Sequence, residues 1–187
     1  MGIGDATPKI GAPARFPIPG GDTMASFTVL RRALAAFVLL SLSGTAALAQ
    51  APVRPPYGTA VNLETAKKIA AAAVAEAKKN SWNVAVAVVD NHGLLIYYEM
   101  LDDTQTASAN IALEKARTSA TYRRPTKELE DGIAGGRNAI LGLPGATPIE
   151  GGLPLVVGGK MIGAIGVSGV TSAQDGQIAK AGVEALK

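Results

Sequence analysis

The side chains best suited to chemistry in this sequence are clustered cations. Arg123-Arg124-Pro125-Thr126-Lys127 is followed by a glycine-bearing stretch, Leu143-Pro144-Gly145-Ala146-Thr147-Pro148-Ile149-Glu150-Gly151-Gly152. Guanidinium groups beside a helix start hold carboxylates well, because forked N–H donors and the partial positive charge of the helix end point the same way. Glycines let backbone approach a flat or bulky ligand closely. The same residues also admit a plainer use: the arginines would cap the preceding helix and the loop would fill a subunit contact. Spacing alone favours neither.

Other chemistries find little support. The single histidine, His92, sits in Asp90-Asn91-His92-Gly93, a turn where a solvated side chain is the ordinary outcome. Nucleophilic catalysis needs a base beside its nucleophile, yet nothing places a serine near His92 and no G-x-S-x-G elbow occurs. Cysteine is absent, which removes thiol nucleophiles, disulfides and Cys-ligated metal centres together. Gly158-Gly159-Lys160-Met161 lacks the spacing and the Ser/Thr of a phosphate loop, and Gly163 to Gly169 falls within and just after a strand. Glycines there suit close helix packing better than phosphate. Asp90, His92, Asp102 and Asp103 would be the donors of a loose divalent site, but turn carboxylates more often bond their own backbone. The chain is better equipped to hold a ligand than to run ordinary side-chain catalysis.

The elements that must position these residues follow from periodicity. Asn62 caps a helix from Leu63 to about Lys79, with Leu63, Ala66, Ile69, Ala70, Ala73, Val74 and Ala77 as its buried stripe. Trp82 to Val89 is apolar on both faces, so this strand is covered on both sides or sits at an interface. Leu94 to Met100 returns as the second strand of a hairpin. A helix spans about Ala107 to Thr121, with Ile111, Leu113, Ala116 and Ala120 inward. Thr126 is read as the cap of a short helix through Leu129 and Ile133, and Gly132 to Gly152 as largely loop. A second hairpin runs from Leu153 to Val157 and Met161 to Val167 about Gly158-Gly159. Ser172-Ala173-Gln174-Asp175 resembles a capping box for a last helix with Ile178, Ala181, Val183 and Leu186 inward. The order is α-β-β-α-α-β-β-α, an α/β (α+β) domain with an antiparallel sheet under helices. The surplus of apolar surface predicts a homo-oligomer.

The N-terminus reads as an address. Residues 24–49 present Arg31-Arg32, an apolar stretch from Ala33 to Leu42 and Ala47-Leu48-Ala49, the order of a secretory signal peptide. Its apolar run is about ten residues, short of the roughly 20 a membrane span needs. Cleavage near Ala49 would release a periplasmic or secreted protein. Residues 1–23 lack periodicity and read as an unstructured or untranslated extension, with Met24 rather than Met1 the expected start. Residues 50–60 form a Pro-rich leader. From residue 50 onward 14 Lys and Arg stand against 13 Asp and Glu. Such a near-neutral domain argues against nucleic acid as partner.

Val86 to Ile96, Ile111 to Ala120, Arg123 to Leu129, Leu143 to Gly169 and Gln174 to Gly182, taken in this order, resemble the GlcG/HbpS-type family of haem-binding, also labelled haem-degrading, proteins. These are relatives of the C-terminal domain of PduO-type cobalamin adenosyltransferases. The likeness covers residues 61–187, about two-thirds of the chain. It implies a profilin-like sheet, assembly into oligomers, haem or another tetrapyrrole as cofactor, and in some relatives a membrane sensor protein as partner. Carried onto this chain, His92 becomes the candidate iron ligand, with Tyr97, Tyr98, Met100, Tyr122 and Thr147 as alternatives, and Arg124 and Lys127 become the propionate anchors. One departure stands out: where relatives often read R-M-D-G-A, this chain has Glu99-Met100-Leu101-Asp102-Asp103, an acid in place of a cation. The expected function is an exported oligomeric haem-binding carrier, scavenger or redox sensor. A second class is an enzyme or accessory factor acting on a small 2-hydroxy or 2-oxo acid held by Arg124, Lys127 and Glu150. A third is an interaction module without a small ligand.

Overall fold

The computed structural model describes residues 53–187; the extension at 1–23 and the leader at 24–49 lie outside the described residues. Nine elements follow one another: α1 (Leu63–Lys79), β1 (Ala85–Asp90), β2 (Leu95–Met100), α2 (Ser108–Tyr122), α3 (Thr126–Ala134), a 3-10 turn (Asn138–Gly142), β3 (Gly152–Val157), β4 (Lys160–Ser168) and α4 (Ser172–Glu184). The strands pair antiparallel in the order β2-β1-β4-β3, so each hairpin supplies one edge and the two inner strands meet across the middle. This is the helix-flanked antiparallel sheet that the periodicity predicts.

Strand alternation sorts β1 and its lead-in into two layers. Val84, Val86 and Val88 pack with α1 and α4, together with Leu155, Ile165 and Val167. Ala85, Ala87 and Val89 face α2 through Ala112, Ala116 and Ala120. Branched side chains fill the first layer, whereas alanines let α2 settle almost onto the strands of the second. At Gly166 the approach is closest: a Cβ there would run into the Ala112 carbonyl and stand 2.5 Å from the Ala116 nitrogen. The glycines between Gly163 and Gly169 therefore serve packing.

On its other flank α2 buries a charge. Lys115 is 1% exposed, and its Nζ donates to Asp175 Oδ2 at 2.7 Å and to the Val167 carbonyl at 3.1 Å. Asp175 Oδ1 accepts from the Val170 N–H at 3.3 Å. Burial pushes the Asp175 carboxyl above its usual range, and the Lys115 ammonium and nearby backbone N–H groups pull the other way. Gly151 closes over this pair with φ 128°, where a Cβ would stand 2.9 Å from Lys115 Nζ.

Several local expectations need correction. Thr126 is the first residue of α3 and not its cap; its Oγ1 accepts from the Gly152 N–H at 2.9 Å, tying helix to strand. The capping box of α4 is Thr171 with Gln174, one residue earlier than expected on each side, because Asp175 is drawn inward by Lys115. Gly132 to Gly152 is largely loop as expected, interrupted by the last turn of α3 to Ala134 and by the 3-10 turn, which buries Ile140. The first strand begins at Ala85, three residues after Trp82. On α2 the buried apolar positions are Ala112, Ala116 and Ala120, with Ile111 and Leu113 half-buried. On α4, Ala179 and Gly182 join Ile178 inside while Ala181, Val183 and Leu186 are half-buried.

Two stability measurements check this packing. Gly166→Val should cost at least ~3 kcal/mol in a urea melt, the upper end for overpacking, since backbone rather than a flexible side chain blocks the new atoms. Asp175→Ala should cost ~3–5 kcal/mol by leaving the Lys115 ammonium buried without its counter-charge. A loss below ~1 kcal/mol in either would contradict the described packing.

Candidate functional site

The chain reverses direction between α2 and α3. Arg123 takes a left-handed conformation, φ 51°, and Pro125 is extended, which halts one helix and starts the next. Arg123 then lies over the Tyr57 ring at 5.2 Å from its centroid and donates to the Pro55 carbonyl at 3.4 Å, clasping the incoming leader. Arg124 is half-buried beside it, with Nε donating to the Tyr122 carbonyl at 3.3 Å. Burial lowers the hold of Arg124 on its proton, and the like charges of Arg54 and Arg137 add to this against the opposing pull of Glu128. Arg54 itself pairs with Glu128 at 2.8 Å.

Lys127 is engaged by two acids. Its Nζ is 2.7 Å from Asp131 Oδ1 and 3.9 Å from Glu150 Oε2, and the Asp131 hydrogen bond raises its affinity for a proton. Glu150 is held by its backbone, whose N–H donates to Glu130 Oε2 at 2.7 Å. Partial burial raises the Glu150 carboxyl; Lys127 opposes this, while Glu130 and Asp131 reinforce it.

The glycine-bearing loop reaches this corner by lying along α2. Tyr122 Oη donates to the Pro144 carbonyl at 2.7 Å, and the Thr147 N–H donates to Thr118 Oγ1 at 2.8 Å. With the Lys127–Glu150 and Thr126–Gly152 contacts, the segment that carries the cations and the loop meet.

His92 belongs to a different flank of α2. Asp90 Oδ1 accepts from the N–H groups of His92 and Leu94 at 2.8 and 2.9 Å, so this carboxylate shapes the turn. Arg117 Nε donates to the Gly93 carbonyl at 3.3 Å, and Asn91 Nδ2 to the Gly58 carbonyl at 2.6 Å. His92 is exposed. Its turn rests on Arg117 and the loop rests on Thr118, consecutive helix residues that project about 100° apart. Among the described residues no three His, Cys, Asp or Glu side chains gather as a metal cluster.

The remaining iron-ligand alternatives separate on chemistry. A phenolate ligand must lose its proton. Tyr97 donates to Glu99 at 3.1 Å, and that bond, with burial, raises its pKa. Burial raises that of Tyr98, which points to Met100 sulfur at 3.3 Å. Tyr122 is committed to Pro144. His92 and Thr147 are left as the donors least engaged. Sequence reasoning missed Arg54 and Arg137: one lies in a stretch read only as leader and the other follows Gly135-Gly136 outside any periodic pattern.

Comparison with known proteins agrees with this architecture. Residues 61–184 match the family described as haem degrading protein HbpS-like. Protein GlcG of Escherichia coli strain K12 is 47% identical over 105 residues, which is 56% of this chain and 78% of that protein. The crystal structure of a double mutant of Streptomyces reticuli HbpS superposes with a TM-score of 0.65 at 34% identity, covering 74% of this chain and 99% of the other. The crystal structure of a PduOC:haem complex gives 0.62 at 28% identity, covering 68% and 95%. With the match spanning both hairpins, all four described helices and the corner where loop and cations meet, this chain belongs to the HbpS-like family.

Proposed function

We propose that this protein is an exported, oligomeric haem- or tetrapyrrole-binding protein that acts as a carrier, scavenger or redox sensor. The observation that supports it best is the meeting of the Tyr122–Lys127 segment, which carries Arg124, with the loop from Leu143 to Glu150. A flat dicarboxylate needs anchors for its acid groups, an apolar bearing surface and one axial donor. Arg124 supplies an anchor. Leu141 and Ile149 are exposed beside the loop, and Leu94, Leu95 and Met100 beside the turn. His92 and Thr147 offer the donors. The residues therefore fit the group in kind, with His92 the stronger ligand because a neutral imidazole binds iron better than an alcohol. Export rests on the leader read at residues 24–49, and a membrane sensor protein is the partner that reading would bring.

A second reading is favoured by one feature, the raised Glu150 carboxyl next to Lys127. A carboxyl whose affinity for a proton is raised near a cation suits proton exchange with a small 2-hydroxy or 2-oxo acid.

Titrating hemin into the purified chain should give a saturable shift of the Soret band. His92→Ala should move the band and weaken binding by ~tenfold or more, the loss of one good contact. Free-hemin spectra throughout would contradict the proposal. Millimolar 2-hydroxy or 2-oxo acids should leave the melting temperature unchanged; stabilisation by them without a hemin response would reverse the ranking of the two readings. Export is checked by the mass of the secreted or periplasmic protein, expected to begin near Gln50; an uncleaved chain confined to the cytoplasm would exclude it.

A further inference from the structure

The haem reading leaves one cavity unused. It has a volume of about 380 Å³ and opens where the leader, the first turns of α1, the β3–β4 hairpin and the residues after α4 come together. That size falls at the lower end of the ~300–1,000 Å³ range of small-ligand pockets. Val61 belongs to the core of the α1 and α4 layer, and Ile162 and Leu186 pack against it. The cavity therefore lies across the sheet from α2, which carries the His92 turn and the loop at Thr147.

Its walls are fixed by the protein itself. The leader is stitched to β4 by three backbone bonds of 2.8 Å: the Met161 N–H to the Pro56 carbonyl, the Gly58 N–H to the Met161 carbonyl and the Val61 N–H to the Ile162 carbonyl. Asn62 Oδ1 accepts from the Thr65 N–H at 2.8 Å and locks the start of α1. The lining is divided by polarity. Val61, Val157, Ile162 and Leu186 bring hydrocarbon from the leader, the hairpin and the end of the chain, whereas Thr59, Thr65 and Lys68 bring polar groups from the leader and α1. Val157 is 49% exposed, apolar surface that a bound chain would take out of water. Among the described residues Lys68 pairs with no carboxylate. The helix end is already capped by Asn62, so the ammonium is the anchor left for an acid.

We infer that this cavity binds an aliphatic monocarboxylate, with its acid group at Lys68 and its hydrocarbon chain against Val61, Val157, Ile162 and Leu186. The ammonium gives the acid a charge-assisted hydrogen bond, and each methylene that leaves water adds to the affinity. One cation matches one carboxylate, which sets this ligand apart from the flat dicarboxylate proposed on the α2 side.

Equilibrium dialysis of the full chain against labelled octanoate, and against labelled octanol as the same chain without an acid, tests the inference. One octanoate should bind per chain, saturably, and octanol at least ~tenfold more weakly. Lys68 is exposed, so Lys68→Gln should melt at the parent temperature, weaken octanoate by ~tenfold and leave octanol unchanged. Half-buried Ala185 also lines the cavity, and Ala185→Leu should fill part of it and weaken both ligands. Should Ala185→Leu melt early, the Lys68 comparison still decides. No saturable octanoate binding overturns the inference, as does octanol bound as tightly as octanoate. Equal octanoate affinity in the parent and Lys68→Gln overturns it too, and so does binding untouched by a well-folded Ala185→Leu.

Discussion

The arrangement depends on one buried ammonium. Lys115 sits in the middle of α2, and its Nζ joins the Val167 carbonyl of β4 to the Asp175 carboxylate in the first turns of α4, close under Gly151, where a Cβ would stand 2.9 Å away. A charged pair removed from water is a weak source of net stability but a strong constraint, because any packing that separates the partners leaves a bare charge inside. It fixes how far α2 slides along the sheet. It also demands a backbone conformation at residue 151 that leaves no room for a side chain, and so determines where the preceding loop ends.

From that fixed point α2 acts as a spine with different duties on its successive sides. The alanine face, meeting Gly166, sets the height of the helix above the sheet. Thr118 and Tyr122 carry the loop that ends at Glu150, while Arg117 carries the turn that holds His92. The left-handed turn at Arg123 converts the end of the helix into the arginine corner and secures the leader beneath it. Ligand-holding groups from distant parts of the sequence are thereby referred to one rigid element, which is how a small domain with few aromatic residues can present a defined surface.

The fold was largely legible because its signals are local. Alternation in β1, the two short turns at Asn91-His92 and Gly158-Gly159, and the alanine stripe of α1 each specify their element without reference to the rest. What escaped detection depends on partners far away in sequence. Lys115, the single lysine of α2, carries no local signal of burial, since its place inside requires Asp175, 60 residues on. The same contact moved the capping box of α4 from Ser172 and Asp175 to Thr171 and Gln174. At the site, residue types raised the meeting of cations and loop as one of two readings, and the engagement of Lys127 by Asp131 is a choice between competing partners that spacing does not resolve. Arg54 gave no signal at all, because an arginine among prolines has no periodicity to betray its neighbours.

The central claim is that the arginine corner and the adjoining loop form the seat of a flat anionic ligand, and a crystal structure of the chain grown with hemin tests it most directly. The account predicts a porphyrin lying against the loop from Leu143 to Glu150, with an acid group at Arg124. A porphyrin seated elsewhere, or one lying on that loop with its carboxylates in open solvent and Arg124 unengaged, would contradict it.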